Sequence, residues 1–103
     1  MCNIPYSNKK PIRVFKTFEF ISWLDGQPPK TITIITARIE MISIGHFGDH
    51  KKFDGLIEFR WKNGIRVYAF LKEKYLIVIL IGGNKNGQSF DIKKAKKIKG
   101  KIE

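Results

Sequence analysis

Leu56-Ile57-Glu58-Phe59-Arg60-Trp61-Lys62-Asn63-Gly64-Ile65-Arg66-Val67-Tyr68-Ala69-Phe70 reads as two β-strands around an Asn-Gly turn. Successive strand residues point to opposite faces, so the register of this hairpin decides what is buried. A two-residue type I′ turn pairs Lys62 with Ile65. It mixes charge and aromatics on both faces. A three-residue loop, a type I turn followed by a left-handed Gly64 bulge, pairs Trp61 with Ile65 instead. Ile57, Phe59, Trp61, Ile65, Val67, Ala69 and Leu71 then share one face, and Glu58, Arg60, Arg66, Tyr68 and Phe70 the other. A buried face specifies register strongly, so the second register is expected. It makes Arg60 and Arg66 cross-strand neighbours on an open face. Like charges so placed repel, which Glu58 or a bound phosphate would relieve.

Outward from the hairpin, Tyr75 to Ile81 is a continuous apolar run, expected as a central strand. Gly82-Gly83-Asn84-Lys85-Asn86-Gly87 reads as a turn. From Ser89, a plausible N-cap, Ile92, Ala95, Ile98 and Ile102 form one helical stripe among lysines. Upstream, Ile12 to Phe15 is β-prone. Phe18, Ile21 and Leu24 suit a short helix closed by Gly26. Lys30 to Ile44 is rich in Ile and Thr, yet Ile32, Ile35, Ile39 and Ile42 mark a helix ending at Gly45. Residues 45–52 are expected as a loop and residues 1–10 as a flexible arm. The order is β-α-α-β-β-β-α. It implies one α+β domain over 1–103: an antiparallel sheet with helices packed on one face and an open basic face.

The 103 residues carry 20 Lys+Arg against 9 Asp+Glu, a formal charge of +11. The excess lies at both ends and in the hairpin half. Nucleic acid, an acidic protein or an anionic membrane are the partners such charge attracts. The apolar run is too short to span a bilayer. No signal peptide is visible, and the lone Cys2 excludes an internal disulfide and fits a reducing cytoplasm.

Other chemistry is thinly represented. Gly87 is followed by Gln88-Ser89, so the Walker pattern fails; Lys85, just before a helix N-terminus, is still well placed for an anion. His46 and His50 are four apart across glycines, with no Asp, Glu or Cys cluster to complete a zinc site. No metal or cofactor is expected. Asp91 either complements the helix dipole or lies beside Lys85 at the edge of the open face.

Four segments, Gly48-Asp49-x-Lys51, Glu58-Phe59-Arg60, Gly64-x-Arg66-Val67-Tyr68 and Gly82-Gly83-x-Lys85-x-x-Gln88-x-x-Asp91-Ile92, occur in an order and spacing that resemble the phage-derived addiction-module killer proteins. These are RelE/HigB-like toxins of type II toxin–antitoxin systems. The resemblance covers roughly residues 12–100. It implies a RelE-like fold and a cytoplasmic, ribosome-dependent mRNA endonuclease that inhibits translation. It also implies restraint by a cognate antitoxin, expected to be a helix-turn-helix protein from an adjacent gene. Arg66 matches the family's catalytic arginine, Lys85 another basic residue, and Arg60 a further catalytic cation. Lys51, Lys52, Tyr68 and Lys93 would contact RNA. The chain departs from the pattern at Ile65, where an aromatic is usual, and at Asn84, where an acid is common. The family's C-terminal tyrosine has no counterpart, Phe90 or Asp91 lying nearest. Proton transfer is open among His50, His46, Asp91 and a lysine. Two other readings stand beside this one: a ParE-like gyrase inhibitor, and a non-catalytic basic RNA-binding domain.

Overall fold

A computed structural model describes residues 11–103; the expectations for residues 1–10 and Cys2 lie outside them. The elements are β1 (Arg13–Lys16), α1 (Phe18–Asp25), α2 (Pro29–Ser43), β2 (His50–Phe53), β3 (Leu56–Arg60), β4 (Ile65–Glu73), β5 (Leu76–Asn84), a 3-10 turn (Lys85–Gly87) and α3 (Gln88–Ile102). They form a five-stranded sheet in the order β1-β5-β4-β3-β2. The α+β class and the β3-β4-β5 meander are as expected. β1, however, joins the far edge in parallel with β5.

The hairpin adopts the register that segregates its faces. Arg60 pairs with Arg66, Trp61 N–H donates to Ile65 O at 3.1 Å, and Gly64 takes φ +95°. Burial decided between the two turns.

One core lies between the sheet and the first two helices. It contains Phe20, Ile35, Ile39 and Ile42 against Ile57, Phe59, Val67, Ala69, Ile77 and Ile79. Burying each such side chain contributes roughly 1.5–3 kcal/mol. Of the expected α2 stripe, Ile35, Ile39 and Ile42 are buried and Ile32 is half-buried outside the core; of the α1 stripe, Leu24 packs on the core but Phe18 and Ile21 are exposed, and Phe20 is the buried residue. Helix α1 is pinned by its cap. Thr17 Oγ1 accepts from Phe20 N–H and donates to Leu80 O at 2.8 Å, and this orientation turns Phe20 inward.

A second core corrects the single helical layer. Ala95 and Ile98 of α3 pack on Leu56, Tyr68, Phe70, Val78, Leu80 and Ile81, on the other side of the sheet. The face carrying the arginines is thus partly roofed. The continuous apolar run of β5 explains why: a strand buried on both faces shows no alternation, so both faces must be covered.

Two further departures follow from local chemistry. His50–Phe53 is a strand, paired with β3 and joined to it by Asp54-Gly55. Both turn residues have positive φ, 51° and 76°, as a type I′ turn needs. Gly82 and Gly83 are extended within β5 rather than turning. Trp23 of α1 lies against Gly82 and Asp91 of α3 against Gly83, each where a Cβ would collide. Asn84, not Ser89, caps the following turn by accepting from Asn86 and Gly87 N–H. Among the described residues no helix is long and apolar enough to cross a membrane.

Candidate functional site

Strand register assembles a charged patch on the α3 side of the sheet. In one row Lys51 of β2, Glu58 of β3, Tyr68 of β4 and Ile81 of β5 are neighbours. In the next, Arg60 lies beside Arg66, and Arg66 beside Gly83. The first turn of α3 brings Gln88 and Asp91 over this patch. Asp91 enters because Gly83, the neighbour of Arg66, has no side chain. Lys85 joins from the β5 end: its N–H donates to Gly64 O at 2.8 Å, and its stem lies over the Gly64 turn.

Both arginines are held from within. Arg60 Nε lies 3.4 Å from Glu58 Oε1, while its side chain stays 37% exposed. Arg66 Nη1 donates to the carbonyls of Trp61 and Ile65 at 3.3 and 3.0 Å. Arg66 Nε is buried without a hydrogen-bond partner. Glu58 is fully buried, and its Oε2 accepts from Gln88 Nε2 at 2.6 Å. Burial, and then the adjacent Glu58 carboxylate, raise the Tyr68 phenol far above its ordinary value. The two groups face each other, but the hydroxyl does not complete a well-formed hydrogen bond. Tyr68 therefore stays protonated. Burial also raises the Asp91 carboxyl, against the opposing pull of Lys94. A carboxyl so disposed can carry a proton nearer neutral pH than a solvated aspartate.

Arg60, Arg66, Lys51, Tyr68 and Asp91 are thus brought together, with Lys85 at the same end of the sheet. Tyr68 is wholly buried, so it is unable to stack a base; it lies beneath the cations. His50 pairs with Phe59 and Lys52 with Ile57, which puts both on the α1/α2 face. The His50 ring packs edge-on to Phe47, centroids 5.2 Å apart, and its Nδ1 lies 2.8 Å from Gly48 O. His46 is exposed in the loop after α2. Lys93 lines a trough with Glu19 and Phe90 on the α1 side of α3. Among the described residues no group of three or more His, Cys, Asp or Glu is placed to hold a metal ion.

Gln88 and Arg38 carry weight that spacing did not signal. Arg38 reaches from α2 with its guanidinium 4.3 Å from the Trp61 ring centroid. It donates to the carbonyls of Phe47, Asp49 and Arg60. Desolvation lowers its pKa, partly offset by Asp49. This clamp fixes the end of β3 that bears Arg60. The Asp54-Gly55 pair was a readable hairpin signal for β2, and with it the face of Lys51 was also within reach.

No protein-family model matches the chain. It is 38% identical over 89 residues to an uncharacterized protein of Haemophilus influenzae, a match covering 82% of this chain and 90% of that protein. Its fold is similar to that of a chain from the toxin-antitoxin complex RelBE2 of Mycobacterium tuberculosis. The TM-score is 0.62, the identity 18%, and the coverage 72% of this chain and 98% of that one. At that identity the likeness is one of fold.

Proposed function

The chain belongs to the same family as this Haemophilus influenzae protein, and from that premise and the charged patch we propose that it is the toxin of a type II toxin–antitoxin module. Its activity is metal-independent cleavage of mRNA at the ribosome, and a cognate antitoxin restrains it. The observation that carries this reading is the side-by-side pair Arg60 and Arg66, anchored from below, with the Arg60 side chain 37% exposed. The fold shared with a RelBE2 chain supports it.

The chemistry follows from the substrate. The ribose 2′-oxygen attacks the adjacent phosphorus, the bond to the 5′-oxygen breaks, and a cyclic phosphate and a 5′-hydroxyl result. One proton leaves the 2′-hydroxyl and one reaches the departing oxygen. Negative charge grows on the phosphate, and fixed guanidinium groups stabilise it, Arg66 and Arg60 each presenting N–H donors. Lys85 and Lys51 add positive potential. Asp91, beside Gly83 and Arg66, is the proton carrier best placed in the patch.

Induced expression should arrest growth and create new mRNA 5′ ends within coding sequence, only where ribosomes are present. Arg66→Ala should restore growth with an unchanged circular dichroism spectrum. A folded Arg66→Ala that still arrests growth overturns the assignment. Arrest with DNA-damage signalling and intact mRNA would redirect the protein to gyrase.

A further inference from the structure

We infer that Glu58 is a positioning residue, whose buried carboxylate holds Arg60 in the one orientation that presents its terminal nitrogens to a phosphate. Glu58 is the fully buried carboxylate among the described residues. Burying a carboxylate is costly, and replacing a buried ion pair by well-packed apolar groups is often neutral or stabilising. The surroundings would accept such a group: Leu56, Phe70 and Leu80 line the same core. Stability alone therefore does not account for a charge at this position.

The geometry does account for it. Glu58 Oε1 lies 3.4 Å from Arg60 Nε, the inner nitrogen of the guanidinium, an ion pair without a formed hydrogen bond. Neither terminal nitrogen of Arg60 has a partner among the described residues, so both stay available for phosphate oxygens. The carboxylate also sits two residue pairs along from Arg66, on the same face, where its charge offsets repulsion between the two cations. Gln88 fixes the other carboxylate oxygen from α3, and Tyr68 faces it from β4. Groups from three elements thus converge on a side chain that no substrate can touch. Glu58 acts through Arg60.

The inference rests on the proposed cleavage reaction for its kinetic arm alone. Glu58→Met, and the isosteric Glu58→Gln, should remain folded, with an unchanged circular dichroism spectrum. Turnover on mRNA-programmed ribosomes should fall about 30-fold, as for a displaced catalytic group, with KM within about twofold. In the Arg60→Ala background, Glu58→Met should cost nothing more, since it would act on a residue already removed. Full turnover in both Glu58 variants, or a loss additive with Arg60→Ala, overturns the role. The second arm needs no RNA. The Arg60 Nε–H bond of the intact chain should be rigid by 15N relaxation, with an order parameter that drops clearly in Glu58→Met; an unchanged order parameter overturns the inference. A wild-type chain that cuts no mRNA defeats the toxin reading, while the relaxation measurement still decides what Glu58 does.

Discussion

The two faces of the sheet are built to different rules. Against α1 and α2, the buried side chains of the sheet are all apolar, and Phe59 is wholly enclosed. Against α3, the same strands bury Glu58 and Tyr68 and half-bury Arg60 and Arg66. The first face holds the chain folded. The second gives up part of its apolar packing to keep charges in fixed positions, and its buried unpaired atoms, Glu58 Oε1, Arg66 Nε and Tyr68 Oη, gather there. Unpaired buried groups cost stability, so the difference marks where folding yields to chemistry.

Substitutions should separate the two faces. Phe59→Ala should cost about 3–5 kcal/mol, read as a large drop in the urea midpoint; a small drop would show that the first face is not the stabilising one. Arg66→Ala should leave that midpoint nearly unchanged yet reduce mRNA cleavage by about 10²–10³-fold. Gly83→Ala falls between: its methyl group collides with the Asp91 carboxylate, which should destabilise by about 1–3 kcal/mol and also impair cleavage. Asp91→Asn probes the charge of the second face. Burial keeps the folded carboxyl above its ordinary value of 3.8, so the folded chain binds a proton that the unfolded chain releases. Stability then falls as pH rises from the ordinary value through the raised one. The Tm advantage of Asp91→Asn should therefore grow as pH rises above the ordinary carboxylate value; a constant difference would refute the shift. Smallest of all, Phe90→Ser, at a side chain 70% exposed, should change stability by less than about 0.5 kcal/mol.

What the residues revealed unaided depended on whether one face alone was apolar. The hairpin register was legible because one pairing separated Phe59 and Val67 from Arg60 and Arg66. The α2 stripe was legible for the same reason. His50-Lys51-Lys52-Phe53 shows no alternation, since an edge strand with little cover has no need of one, so its face and that of His50 were hidden. The α1 face was misread because Phe18 sits at the helix start and points out. Nothing in the spacing of Ile92, Ala95 and Ile98 says which side of a sheet they cover, so the roof over the arginines was also hidden. Arg60 and Arg66 as a pair needed only the hairpin. Gln88 over Glu58 needed α3 in place, which local pattern does not supply.

Arg38 has a consequence for how the chain folds. Its hydrogen bonds to Phe47 and Asp49 stay within the connection that follows α2, while that to Arg60 spans 22 residues, so the set is complete only when the crossing from α2 to the sheet has closed. Bonds completed late leave the folding rate alone and govern escape from the native state. Arg38→Ala should therefore appear in the unfolding limb of a chevron plot with its folding limb unmoved, making one helix side chain a latch on the lifetime of the folded molecule.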